Sequence, residues 1–217
     1  MTIGVAVRLA NILKLHLNNP GTVGVYRVHG GLPPSTDPLK TEMRRRSFWA
    51  LYICETYDNC RTGMPPLLEE DRITVPLRCP GLLDRTFTPT PMPTLADSYS
   101  ITNPSQCQLS EFASLVLLSA LNRRCYHHAE LSCRHKDSAK TAKDFWTRHF
   151  SLQTLIEDRE RLLAPNMTVQ AVKTHPVSIS SYVFLRGIDI YLHEAALVKV
   201  DQEGEEPGTI TAAEIKQ

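Results

Sequence analysis

Apolar residues return every three or four positions in several stretches of the chain, which is the spacing of an α-helix that buries one face. The stretches are 3–17, 38–61, 109–131, 139–163 and 178–200. Polar, Pro-containing or Gly-containing sequence separates most of them. The pattern therefore predicts an all-α fold, an irregular multi-helix domain in which each helix packs its apolar side against the others.

The ends of the second stretch are clearly marked. Asp37 is a favourable N-cap residue, and Pro38 suits the first helical position because its fixed φ and missing N–H cost nothing there. Gly63 and the prolines at 65–66 end the helix. The apolar run 48–54 would also fit a buried strand, but the N-cap, the charged residues before the run and the total length favour a helix.

A long Pro-rich loop is predicted after this helix. Residues 63–106 contain 8 of the 15 prolines of the chain, so no long regular element fits there. Later in this loop, residues 88–105 are expected to be mobile. Apolar side chains should pin the first part to the helical body, namely Leu67, Leu68, Ile73, Val75 and Leu77.

The chain is expected to form one domain over residues 1–200. The acidic sequence rich in Gly and Pro that follows should end all order, which predicts a disordered tail at 201–217.

Charge and cysteine spacing exclude several classes of protein. The 24 Lys and Arg residues nearly balance 23 Asp and Glu, so the chain lacks the field that draws proteins onto a phosphate backbone. No stretch approaches the roughly 18 consecutive apolar residues of a membrane helix. The six cysteines form no C-x-x-C pair, which favours reduced thiols in a cytosolic or nuclear protein over a disulfide framework.

Two groups of residues have catalytic chemistry but lack catalytic spacing. The Glu-Glu-Asp run at 69–71 has no adjacent histidine or apolar pocket to separate the pKa values of its carboxyl groups, so a solvated acidic loop is expected. His193 and Glu194 lack the second histidine one turn later that a zinc protease helix requires. Because phosphate loops and nucleophile elbows are also missing, we expect no enzyme and no catalytic or cofactor-binding residue.

A metal site has one weak candidate. Cys125, His128, Cys133 and His135 have suitable ligand chemistry, but the C-x-H spacing of the last two does not direct both groups to one ion from a regular helix. We expect no metal or other cofactor in this chain.

One set of motifs suggests a family. Residues 42–57 read Glu-Met-Arg-Arg-Arg-Ser-Phe-Trp-Ala-Leu-Tyr-Ile-Cys-Glu-Thr-Tyr, and Gly-Met-Pro at 63–65 and Asp-Arg-Ile-Thr-Val-Pro-Leu at 71–77 follow. Paired arginines before Phe-Trp, a Gly-x-Pro turn and an acidic loop ending in Val-Pro resemble the regulatory domain of fungal zinc-cluster transcription factors of the xylanolytic-activator type. Segments 4–16 and 191–196 resemble an earlier and a later helix of that domain, so the resemblance spans most of the chain.

The resemblance marks a set of family-motif residues, whose expected role is structural. They are Arg44, Arg45, Phe48, Trp49, Tyr52, Gly63, Pro65, Val75 and Pro76. The chain departs from the usual pattern at Glu55, Met64 and Arg78, which affects the subfamily and not the family.

The resemblance implies a function in regulating transcription by RNA polymerase II in the nucleus. Family members bind DNA through an N-terminal six-cysteine, two-zinc cluster, which this sequence lacks, so DNA and zinc are expected only through a missing N-terminal domain. Coregulator proteins or a small-molecule effector are the expected partners, and no membrane is expected. The chain resembles a fragment or a truncated gene product. The alternative is a free-standing helical module that binds a protein or ligand without binding DNA.

Some motif residues also have two interpretations. The arginines at 44–46 would suit nuclear import or phosphate contact, but arginines within a helix more often pair with carboxylates such as Glu42. Phe48, Trp49 and Tyr52 would suit the wall of an effector pocket, but aromatic residues at helical spacing more often form a core.

Overall fold

A computed structural model of the chain describes seven segments. They are residues 2–18, 31–33, 35–77, 93–98, 110–134, 139–163 and 176–203. Six α-helices and one 3₁₀ turn lie in these segments, and the described residues contain no strand. The helices are α1 (Ile3–Ile12), α2 (Pro38–Thr62), α3 (Leu95–Ser98), α4 (Glu111–Arg134), α5 (Ala139–Leu163) and α6 (Pro176–Glu203), and the 3₁₀ turn is Glu70–Arg72. The prediction of an all-α fold is confirmed.

Helix α1 is five residues shorter than the apolar pattern predicts. Lys14 adopts a left-handed conformation with φ of 54°. The N–H of Leu15 donates to the Ala10 carbonyl at 3.0 Å and that of Lys14 donates to the Asn11 carbonyl at 3.1 Å, which is the hydrogen-bond pattern of a Schellman C-cap. The cap turns the chain out of the helix before Leu17, although the apolar spacing continues.

Helix α2 begins and ends where its capping residues predict. The Asp37 carboxylate accepts a hydrogen bond from the Leu39 N–H at 2.9 Å, and Pro38 is the first helical residue. At the other end Gly63, with φ of 70°, donates to the Asn59 carbonyl at 2.9 Å. The left-handed φ at this position favours glycine, since a side chain would be strained.

The three long helices that follow lie close to their predicted positions. Helix α5 has the predicted limits, and α4 begins two residues later than predicted because the Ser110 hydroxyl accepts from the Ala113 N–H at 3.1 Å. Helix α6 begins at Pro176, which suits a first helical position, and continues to Glu203, so order extends three residues beyond the predicted limit of 200. Residues 204–217 of the predicted tail lie outside the described residues.

Helix α4 lies at the centre of the fold and contributes to two hydrophobic clusters. The first cluster joins α1, α2 and the chain after α2 to the N-terminal half of α4. The second joins another face of α4, which begins at Leu118, to α5 and α6. The side chains of α4 in the two clusters are Ala113, Val116, Leu117 and Ala120 in the first, and Leu118, Leu121 and Cys125 in the second.

The first part of the Pro-rich loop packs on the helices, and we call residues 63–77 the motif loop. Leu68, Ile73, Val75 and Leu77 are buried as predicted, whereas Leu67 is 53 % exposed. The Leu77 N–H donates to the Pro93 carbonyl at 2.9 Å, beside the turn of helix α3.

Helix α3 corrects the prediction that residues 88–105 are mobile. Leu95 is only 1 % exposed, and the buried Arg159 of α5 donates to the Ser98 carbonyl at 2.6 Å. Residues 93–98 are therefore part of the packed body, and the rest of that range lies outside the described residues. No described helix combines the length and the hydropathy that crossing a membrane requires.

We predict that Trp49→Ala lowers the free energy of unfolding by about 3 to 5 kcal/mol, because the fully buried indole leaves a cavity. Chemical denaturation gives the value. Tyr57→Ala on the same helix is the control, since Tyr57 is 65 % exposed and should lose less than about 1 kcal/mol. A Trp49 variant no less stable than the Tyr57 variant would contradict the burial of Trp49.

Candidate functional site

The family-motif residues of α2 meet those of the motif loop at one place in the fold. Phe48, Trp49 and Tyr52 are fully buried. The Trp49 indole N–H donates to the Pro76 carbonyl at 3.0 Å, so the tryptophan binds the backbone of the Val-Pro pair directly. These three aromatic side chains belong to the first hydrophobic cluster and form core.

The other side of the Val-Pro pair is bound to the end of α1. The His16 carbonyl accepts hydrogen bonds from the N–H groups of Thr74 and Val75, at 2.9 and 3.0 Å. The Thr74 hydroxyl also accepts from the Asn18 N–H at 3.1 Å. The segment that follows α1 thus holds the motif loop through one backbone carbonyl and one backbone N–H.

The arginines of the motif are held at the start of α2. The carboxylate of Glu42, which is 1 % exposed, accepts from Arg45 at 2.7 Å and from Arg46 at 3.2 Å. Arg44 donates to the Pro33 carbonyl at 2.7 Å. All three guanidinium groups thus bind partners within the domain, as expected of arginines in a helix that pair with nearby carboxylates or carbonyls.

The Gly-x-Pro turn divides its roles between two residues. Gly63 caps α2, and a β-carbon at this position would lie 3.5 Å from the Tyr126 hydroxyl of α4. Pro65 is exposed. That distance is an ordinary van der Waals contact, so the left-handed φ of Gly63, and not a lack of space, is what favours glycine at this turn.

A buried carboxylate organises the start of the motif loop. Glu55 is fully buried, and its Oε1 accepts from the Asn59 side chain at 2.6 Å and from the N–H groups of Leu67 and Leu68 at 2.6 and 3.4 Å. Its other oxygen lies 3.7 Å from a guanidinium nitrogen of Arg123, on α4. Arg123 also donates to the Leu68 carbonyl at 2.5 Å, so one ion pair joins α2, α4 and the loop.

The acidic run at 69–71 is not simply solvated. Glu70 is 20 % exposed and accepts from the Tyr52 hydroxyl at 2.6 Å, while Arg124 lies 3.3 Å from its second oxygen. Only Glu69 and Asp71 are exposed as predicted. A guanidinium nitrogen of Arg123 also lies 3.9 Å from the first carboxylate oxygen of Glu70. Arg123 therefore links the carboxylates of Glu55 and Glu70 in a charge network that sequence spacing did not reveal.

Two buried histidines face each other where α4, α5 and α6 meet. His128 and His149 are 2 and 3 % exposed, with ring centroids 5.8 Å apart. Phe145 stacks on His128 at 4.3 Å. Within the part of the chain that the structure describes, neither ring nitrogen of His128, nor Nδ1 of His149, has a hydrogen-bond partner.

Burial, the larger cause, lowers the pKa of both imidazoles. The pKa of His128 falls to about 4, with smaller contributions from His149, Arg148 and His127. The pKa of His149 is also lowered, by burial and then by His193 of α6. Both histidines are therefore neutral at pH 7.

The metal candidates are only partly within the described side chains. Cys125 is buried, and burial, followed by Asp189 and Cys60, raises the pKa of its thiol to about 12, so it stays protonated. His128 lies one turn later on α4. The side chain of Cys133 and the whole of His135 lie outside the described residues, and within the described part no three His, Cys, Asp or Glu side chains are placed to hold a metal ion.

The part of the chain that contains the motif matches a known protein family. Residues 1–153 match the sequence profile of the fungal specific transcription factor domain. The chain belongs to this family. The matched region contains α1, α2, the motif loop and α4, which are the elements joined by Trp49, Glu55 and Arg123.

Curated relatives in the fungal specific transcription factor family cover nearly all of the chain. It is 29 % identical over 218 residues to the depudecin biosynthesis cluster-specific transcription activator DEP6 of Alternaria brassicicola, with 95 % of this chain and 32 % of the relative covered. The protein of the same name from Fusarium langsethiae is 30 % identical over 211 residues, covering 95 % of this chain and 33 % of the relative. The pigment biosynthesis transcriptional activator pigB of Monascus ruber is 23 % identical, covering 88 % and 34 %.

The chain thus spans about a third of the length of these relatives. No solved structure is significantly similar to it.

We predict that Arg123→Met destabilises this family domain by about 3 to 5 kcal/mol, because it leaves the buried Glu55 carboxylate without its cationic partner. Urea denaturation of the single variants and of Arg123→Met/Glu55→Gln measures the coupling. The double variant should lose less than the sum of the single losses. Arg61→Met is the control, because Arg61 is 66 % exposed. Additive losses would mean that the 3.7 Å pair is not coupled.

We predict that acid destabilises the domain through His128. Its folded-state pKa of about 4 lies below the unfolded value of 6.5, so its stabilising contribution is complete above pH 6.5 and is lost as the pH falls towards 4, by about 2 to 3 kcal/mol. His128→Leu should weaken this pH dependence, measured by denaturation at pH 7.0 and 4.5. His127→Leu, which removes an exposed neighbour and the smallest of the causes, should change it much less, and equal slopes in all three proteins would refute the prediction.

Proposed function

We propose that the chain is the regulatory domain of a fungal zinc-cluster transcription factor and controls transcription by RNA polymerase II in the nucleus. The observation that carries the proposal is the family match over residues 1–153, whose motif residues form one connected unit of α2 and the motif loop. The named relatives include activators of depudecin and pigment biosynthesis, so we propose biosynthetic genes as the target class.

DNA contact would come from a separate zinc-cluster domain. The formal charge of this chain is only +1, and its motif arginines are engaged with Glu42 and Pro33. A phosphate backbone requires a cationic surface that these residues do not supply. The domain would instead respond to a coregulator or effector by favouring one of two conformations. It would do so without catalysing a reaction.

The alternative is a free-standing helical module that binds a protein partner. Helix α6 favours it, because Val183, Ile190 and Leu197 lie seven residues apart and are 63, 61 and 70 % exposed. Side chains at this spacing lie along one side of a helix and form an apolar ridge. Such a ridge suits contact with another helix.

Fusion to an unrelated DNA-binding domain tests the proposal. We expect the fusion to change reporter transcription, either as activation or as repression, relative to the DNA-binding domain alone. A helical domain of similar size and charge is the control for a passive fusion, and the Trp49→Ala variant is the control for loss of fold. Reporter output equal to that of the passive helical control would reject the regulatory proposal and favour the alternative.

A further inference from the structure

A cleft lies between helix α1 and the motif loop, and none of the nine family-motif residues lines it. It consists of two adjoining cavities of about 220 and 360 Å³, which share Asn11 and Leu67 as walls. The first is also lined by His16 and Arg72, and the second by Arg8. The larger volume lies within the range of small-molecule sites.

The charges around the cleft favour an anion. Arg8 and Arg72 line it against one carboxylate, that of Glu69, which pairs with Arg72 at 2.6 Å. Arg8 has no hydrogen-bond or ion-pair partner among the described residues. The N-terminal end of α1 adds positive potential, because Thr2 makes no side-chain cap and the first turn holds no acidic residue.

His16 supplies an unused polar atom at the same place. Its carbonyl is occupied by Thr74 and Val75, which fixes the backbone. Its ring atom Nδ1 is buried and has no hydrogen-bond partner among the described residues. Buried polar atoms are nearly always paired, so this nitrogen gains a partner if the ring turns towards a ligand in the cavity that His16 lines.

We propose that this cleft binds a small organic dicarboxylate that spans the two cavities, with one carboxylate paired with Arg8 in the larger cavity and the other with Arg72 in the smaller, where the His16 imidazole donates a hydrogen bond. The inference rests on the proposed regulatory function and gives it an effector class. Charge-assisted hydrogen bonds from a guanidinium to a carboxylate are among the stronger ones available to such a site.

Binding there would connect the ligand to the motif. Arg8 belongs to α1, whereas Arg72 belongs to the motif loop, so a dicarboxylate paired with both draws the two together. The loop is attached to α2 through Trp49 and Glu55. A ligand that favours the closed arrangement of α1 and the loop would therefore shift the conformation of the motif helix.

Titration of the ¹⁵N-labelled 217-residue chain with succinate tests the proposal. At constant ionic strength we expect saturable shifts of the Asn11 and Arg72 amides and of the His16 ring nitrogens. Succinamide, which has the same length without charge, should cause none. Arg8→Gln and Arg72→Gln should each weaken binding about tenfold. Arg61→Gln, which changes an exposed arginine on α2, should not weaken it.

The outcomes separate the two proposals. Equal responses to succinate and succinamide, no saturable shift, or unchanged binding in Arg8→Gln would overturn the carboxylate site, and the comparison of the two ligands holds even if a variant fails to fold. Saturable binding of inorganic phosphate without succinate would overturn the carboxylate class. Succinate binding combined with a silent reporter fusion would support the site and reject the regulatory function. An active reporter fusion without succinate binding would support the regulatory function and reject the site.

Discussion

The carboxylate of Glu55 is the constraint on which the arrangement of this domain depends. A buried anion is costly unless charged and hydrogen-bonded partners surround it. Here the partners come from three parts of the chain: the side chain of Asn59, the backbone N–H groups of Leu67 and Leu68, and the guanidinium of Arg123. Because these partners must converge on one side chain, α2, the motif loop and α4 have little freedom to pack in any other way.

The same constraint explains how the family motif works as a physical unit. Glu55 fixes the loop where it leaves α2, and Trp49 fixes it again near its end through the Pro76 carbonyl. Tyr52 lies between these two points on the helix and binds Glu70. Three successive turns of α2 thus hold three successive parts of the loop, which is why the aromatic motif and the Val-Pro motif occur together in one chain.

Local signals predicted the helices well, and long-range partners were beyond their reach. Apolar period and length located α5 at both ends, and Asp37 and Gly63 marked the ends of α2. The early end of α1 depends on Lys14 in a left-handed conformation, for which a lysine gives no sequence signal. The bond from Trp49 to Pro76 spans 27 residues, and apolar spacing has no means of pairing residues so far apart. A charged residue such as Glu55 directly after an apolar run was the available signal of a buried network. His149, on the apolar face of α5, was a similar signal of the buried histidine pair.

The central position of α4 also affects how the chain can be divided. Its residues Val116 and Leu117 belong to one cluster, and Leu118 and Leu121 belong to the other, so different faces of the same turns serve both halves of the interior. Neither half has a complete core of its own. Separation of the chain after α4 would therefore leave α5 and α6 without the surface that covers their apolar side chains in the second cluster. The family profile ends at residue 153, within α5, and that limit is a boundary of sequence similarity and not of an independent folding unit.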